Sequence, residues 1–98
     1  MEIKIVSDKI SQDELKEFAQ KTFGDFVKVV VDVEKRIMTV GGGLHADGEA
    51  ILLQQGSRQE DLWGINIYPD KNKDEWLEFD SMINIRPAQS NRSKKIEN

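Results

Sequence analysis

Cysteine is missing from this chain altogether. Its absence excludes disulfides and thiolate zinc sites, and it fits a reducing, cytoplasmic setting. No apolar run approaches the roughly 20 residues that span a bilayer, so no membrane association is expected. The first residues, MEIKIVSDKIS, hold no basic stretch followed by a long apolar one, so no secretory signal is expected. There is no internal repeat and no interdomain linker. Gly41-Gly42-Gly43 lacks the downstream Lys-Ser/Thr of a phosphate-binding loop, and no nucleophile elbow is present. Basic residues are outnumbered fourteen to eighteen, a net charge of −4. That balance weighs against nucleic acid as a general partner, although a local basic patch could still bind it.

What remains is one small domain of 98 residues, 38% hydrophobic and 33% charged. Such a chain buries one modest core. Ile3 and Ile5 alternate with Lys4 in a first strand, about Glu2 to Val6. Ser11-Gln-Asp-Glu14 reads as a capping box, with Ile10 and Leu15 placed as a hydrophobic staple. Leu15, Phe18, Ala19 and Thr22 follow at helical spacing, and Gly24 stops the helix, predicted over Gln12–Phe23. Phe26 to Val33 alternates, with Val27, Val29, Val31 and Val33 on one face and Lys28 and Asp32 on the other. A two-residue turn at Glu34-Lys35 would bring back Arg36–Val40 with Val31 opposite Met38 and Val29 opposite Val40.

Leu44–Gln55 reads as a second helix that Gly48 weakens. The alternative is a tight Asp47-Gly48 turn into a strand at Ala50–Leu53. Leu62–Tyr68 and Trp76–Arg86 read as a second hairpin. Its odd positions, among them Trp63, Ile65, Ile67, Leu77, Phe79, Ile83 and Ile85, would be core. Its even positions, including Asn66, Tyr68, Trp76, Glu78, Asn84 and Arg86, would face away. The expectation is an α+β fold: two helices on one face of a mostly antiparallel sheet, βαββαβ(β), in ferredoxin-like order. Residues 1–86 would form the domain and 87–98 a flexible tail.

At GSRQEDLWGINIYP, followed by FDSMINIRPAQSNRS, the chain resembles a family of small bacterial and archaeal proteins known only as a domain of unknown function. The likeness also takes in VVDVEK and the GG-LHAD stretch, and runs from about Val29 to Ser93. It implies no activity, so it assigns no role to any residue.

The residues themselves suggest two functions of different class. His45 and Glu49 lie four apart, on one face of the second helix, with Asp47 nearby. Such a trio could hold a metal, or supply a base and an acid; metal-free RNA cleavage could draw on His45, on Glu49 or Glu60, and on Arg58 or Arg86 to steady a phosphorane. That gives a small hydrolase, a ribonuclease in its sharpest form, around His45, Glu49 and Arg86. The HxDxE pattern is a weak metal signature, and solvated side chains after flexible glycines explain it as well. No cofactor is therefore expected. Ser57 with Glu60 can be a second capping box, and Arg58 a plain ion-pair partner of Glu60 or Asp61.

The other reading is a non-enzymatic binding module. Asn66, Tyr68, Trp76, Asn84 and Arg86 would share an open sheet face, joined by Arg58 and by Arg92 of the tail. Amides, aromatic surface and a guanidinium suit a protein partner or self-association as a homodimer. Asn66 and Asn84 are poor β-formers, which hints at a polar task. This reading is preferred, with the hydrolase as the alternative.

Overall fold

The computed structural model describes residues 2–86, 89 and 91–95. Ser11 caps the first helix as its sequence position requires, its hydroxyl accepting from the Glu14 amide at 3.1 Å. The helix, α1, runs over Gln12–Lys21. The Glu14 carboxylate does not return the bond. It takes the ammonium of Lys4 instead, on the first strand, β1 (Ile3–Val6).

Strands β2 (Val27–Asp32) and β3 (Ile37–Gly41) form a hairpin in the expected register, Val29 against Val40 and Val31 against Met38. Pairing stops at Asp32–Ile37, so the connection is four residues rather than two, closed by Arg36 in the left-handed region at φ 57°. The fully buried Asp32 organises this turn. One carboxylate oxygen accepts from the amides of Glu34 and Lys35, and the other from the Ser57 hydroxyl. Burial works to raise the Asp32 pKa, but these hydrogen bonds prevail and hold it below its ordinary value. Ser57 is thereby committed to Asp32. The turn that starts after it, Gln59–Asp61, has no side-chain cap, so the second capping box does not form.

His45–Gln54 is a helix, α2, and the turn-plus-strand alternative falls away. Gly48 sits inside it because the helix lies directly on the sheet there. A Cβ at this position would come within 3.0 Å of Val30 Cγ2 and closer still to Thr39 Oγ1.

The sheet is antiparallel throughout, in the order β1-β3-β2-β4-β5, with β4 at Leu62–Ile67 and β5 at Leu77–Glu78. The α+β class and the order of strands and helices are as the sequence predicts. The ferredoxin-like strand order is not, and neither is the placing of both helices on one face. In the ferredoxin-like pattern the fourth strand returns beside the first; here β4 pairs with β2. Both crossovers, β1 to β2 over β3 and β3 to β4 over β2, therefore step the same way across the sheet. They start from oppositely directed strands, so two connections of the same hand leave the helices on opposite faces.

The packing follows that geometry. On one face Leu15, Phe18 and Ala19 of α1 pack with Val27, Val29, Val40, Ile65 and Ile67. On the other, Leu52 of α2 packs with Val30 and Leu62, joined by Ile37 and Ile83. The face expected to be open is thus covered by α2.

The second hairpin is also shorter than its alternation suggests. After Glu78 the chain leaves the sheet and makes a 3₁₀ turn at Met82–Asn84. The physical cause is Asn84, whose side chain takes the place of a strand partner. Its Oδ1 accepts from the Gly64 amide at 2.8 Å and its Nδ2 donates to the Gly64 carbonyl at 3.0 Å. Leu77, Phe79 and Ile85 are consequently exposed, Phe79 to 43%. Trp63 is half-buried, and Ile83 packs on the α2 side rather than the α1 side. In the segment expected to be a flexible tail, residues 87, 88, 90 and 96–98 lie outside the described ones. Asn91, by contrast, is buried, and its amide reaches the carbonyls of Asn84, Ser93 and Lys95.

Candidate functional site

The pairing of β4 with both β2 and β5 places three polar residues side by side on the α2 face. Lys28 stands opposite Asn66, and Asn66 opposite Glu78. The Asn66 amide donates to Glu78 Oε1 at 2.9 Å, and the Tyr68 hydroxyl donates to the same oxygen at 3.1 Å. These donors, Asn66 first, lower the Glu78 pKa against an opposing burial effect. For Tyr68, burial and then the Glu78 carboxylate raise the pKa. Lys28 lies with its ammonium 5.1 Å from the Phe23 ring centre and 5.7 Å from that of Phe26. Phe26 itself is stacked on Phe23 and tilted against Tyr68.

Asn66 is 5% exposed, and its Oδ1 is buried with no hydrogen-bond partner among the described residues. Its orientation is set by the Glu78 carboxylate, which needs the NH2 side of the amide. A buried acceptor left this way costs on the order of 1–3 kcal/mol, so an orphan of this kind needs an explanation.

Beside Asn66, at the start of α2, stands His45, 7% exposed. Its Nε2 lies 2.7 Å from the Ile65 carbonyl. A carbonyl only accepts, so Nε2 carries the proton and the neutral ring keeps its lone pair at Nδ1. Burial lowers the His45 pKa. The Ile65 carbonyl opposes this, Lys28 adds to it, and Asp80 and the neighbouring Asn66 side chain oppose it. The imidazole is therefore neutral at pH 7. Gly64 makes room for this arrangement, since a Cβ there would meet Ser81 Oγ at 2.5 Å and His45 Cδ2 at 3.1 Å.

These groups open into a cleft of about 410 Å³, bounded by Phe26, Leu44, Met82 and Ile83 as well as by Lys28, Asn66 and Asp80. Asp80 is half-buried, and no hydrogen bond or ion pair reaches its carboxylate among the described residues. The first turn of α2 edges the same cleft. Its cap position is Leu44, which has no side chain to offer the free amides, unlike Ser11 on α1.

The residues singled out from the sequence are scattered rather than gathered in one place. His45 and Asn66 meet in the cleft, with Tyr68 behind them. Asn84 and Arg86 form a structural network. Arg86 donates to the carbonyls of Leu62 and Ile83 and lies 4.5 Å over the Trp63 ring. Burial lowers its pKa, with Glu49 and Asp61 opposing. Glu49 thus faces Arg86 electrostatically, and one of its carboxylate oxygens is buried without a partner among the described residues. Trp76 is half-buried, its indole N–H donating to the Lys71 carbonyl. Arg58 is exposed and pairs with Glu60 and Asp61, and Arg92 is exposed. His45, Asp47 and Glu49 do not converge: among the described residues no three acidic or histidine side chains are placed to hold a metal ion.

Sequence reasoning missed Lys28, Glu78, Asp80 and Ser81. Lys28 and Glu78 were visible as polar positions on the Asn66 side of their strands; what was missing was that β2 and β5 both flank β4.

A family model described as "Protein of unknown function (DUF5674)" matches residues 4–98. Nothing among the curated proteins and nothing among the solved structures matches the chain.

Proposed function

Because the chain belongs to this family of unknown function, its role has to be argued from the site, and we propose a non-enzymatic binding domain whose cleft beside α2 holds a small polar ligand. The observation that carries the reading is the cleft lining itself, where the half-buried Asp80 carboxylate, without a hydrogen bond or ion pair among the described residues, shares the space with Lys28, Asn66 and the apolar Leu44, Met82 and Ile83. A ligand with N–H or O–H donors would pair with that carboxylate, and such mixed polar and apolar lining is what small-molecule sites use. Placing the ligand in this cleft moves the binding function away from an open sheet face, which α2 occupies. It also removes Asn84 and Arg86 from the binding surface, since their polar groups are bonded to backbone.

The hydrolase alternative draws less support. The Nε2 proton of His45 is given to Ile65, and the Arg86 guanidinium is spent on backbone carbonyls. Ser81 Oγ accepts from the Ile83 amide, and among the described residues no hydrogen bond joins it to the His45 ring as a nucleophile–base pair would need.

The test is an amide-correlation NMR screen of the ¹⁵N-labelled protein against a library of small polar molecules. Binding at this site should shift the amides of Lys28, His45, Asn66, Asp80 and Ser81 together. Shifts confined to the apolar hollow of about 330 Å³ bordered by Val6, Val31 and Met38, or no shifts at all, would count against the proposal.

A further inference from the structure

The buried Asn66 Oδ1, without a partner among the described residues, lies beside a histidine that is neutral at pH 7. The amide cannot turn its NH2 to the ring, because Glu78 holds that side at 2.9 Å. What Asn66 keeps for His45 is therefore an acceptor, and its side chain favours the charged ring. The Ile65 carbonyl, 2.7 Å from Nε2, does the same. A neutral imidazole has one N–H and serves one of these two acceptors. An imidazolium has a second N–H, at Nδ1, for the other. Burial of the ring, at 7% exposure, works against that charge.

The charges around the ring come from several elements. Lys28 on β2 opposes the imidazolium, and Asp80, just after β5, favours it. Glu78 on β5 and Lys94 line the same cleft, Asp47 and Glu49 stand on α2 itself, and the Met82–Asn84 turn brings no charge. Glu78 is already engaged by Asn66 and Tyr68. Asp80 has no hydrogen bond or ion pair among the described residues, so it is the carboxylate free to balance a charge on His45. It is also the carboxylate with which a donor-bearing ligand would pair. The ligand and the imidazolium thus compete for one group.

Resting on the reading of the cleft as a ligand site, we infer that the site is gated by a proton on His45. A ligand that donates to Asp80 binds while the ring is neutral. Acid converts the ring to an imidazolium that donates to Asn66 Oδ1, takes Asp80 as its counter-ion and releases the ligand. The sign follows from linkage: a ligand that prefers the neutral ring lowers the His45 pKa on binding, and its affinity falls as pH drops through that value.

The test is an NMR titration of the His45 ring between pH 7.5 and about 5, above the ordinary carboxylate range. It is run on the free protein and again with saturating amounts of the polar library molecule that binds best. In the free protein the Asn66 NH2 pair should shift with the midpoint of the ring. Asp80→Asn should lower that midpoint and Lys28→Met should raise it, since one removes an attraction for the imidazolium and the other a repulsion. Saturation with ligand should lower the midpoint by at least about one pH unit, the equivalent of a tenfold weaker affinity for the protonated form. A ring that stays neutral down to about pH 5 in the free protein would overturn the gate. So would one midpoint shared by the free and the saturated protein, an outcome that leaves the binding domain standing. If no library molecule reaches the cleft, both readings fall.

Discussion

Removing the Asn84 amide should bring this domain close to unfolding. The side chain is fully buried and serves three backbone groups: the Gly64 amide at 2.8 Å, the Gly64 carbonyl at 3.0 Å and the Lys94 carbonyl at 2.7 Å. Asn84→Ala leaves all three without that partner. Each orphan costs on the order of 1–3 kcal/mol, and water reaching the Lys94 carbonyl softens the sum, so a loss of about 3–5 kcal/mol is expected. Domains of this kind hold about 5–15 kcal/mol in total. The midpoint of thermal unfolding should fall by at least about 12 °C, at roughly 4–8 °C per kcal/mol for a chain of this length. Urea unfolding followed by the fluorescence of Trp63 and Trp76 gives the free energy, and an unchanged slope would show that the denatured state is not the cause. Asn84→Asp sharpens the test. It keeps the acceptor for the Gly64 amide but turns an oxygen towards two carbonyls, so it should not rescue. An Asn84→Ala protein within about 1 kcal/mol of wild type would refute the reasoning and restore an exposed strand position.

Other outcomes follow from the same packing. Phe79→Ala should cost less than about 1 kcal/mol because the ring is 43% exposed, whereas Phe18→Ala, at 6% exposure, should cost about 3–5 kcal/mol; chemical denaturation of the pair separates them. Gly48→Ala should destabilise by about 1–3 kcal/mol despite alanine's better helix propensity, because Thr39 and Val30 leave no room for a methyl; a rise in stability would mean that α2 sits further from the sheet. His45 is the only histidine, so its ring resonances report one titration. Its pKa should lie below the ordinary 6.5. A histidine depressed in the native state is protonated more readily when unfolded. Its contribution is therefore complete above about pH 6.5 and is lost as pH falls towards the folded value. A pKa at or above 6.5, or stability unaffected by His45→Gln across that window, would contradict the buried neutral ring.

Much of the fold is legible in local sequence because its determinants are local. Ser11 marks the start of α1 through a bond three residues away. The valine alternation of β2 selects the β3 register, since any one-residue slip would turn Val29 and Val31 away from Val40 and Met38. Strand order is another matter. Nothing in the periodicity of β4 distinguishes β2 from β1 as its neighbour, and that choice decides which face α2 covers. The Leu77–Ile85 stretch misleads for a related reason. Its odd positions alternate like a core strand, while Asn84 ends the ladder through a side chain that reads in sequence as one more polar residue on a strand. The candidate site was half visible: His45 and Asn66 stood out as unusual residues, but Lys28 and Glu78 gain meaning only as cross-strand neighbours of Asn66.

The most direct test of the cleft as a ligand site is NMR observation of two side chains of its lining, the Asn66 NH2 pair and the His45 ring, during titration with the polar library molecule that binds best. Both should move with a single dissociation constant, and in Asp80→Asn both should need at least about tenfold more ligand. If both stay in place while other parts of the molecule respond, the cleft is not the site and the binding proposal falls.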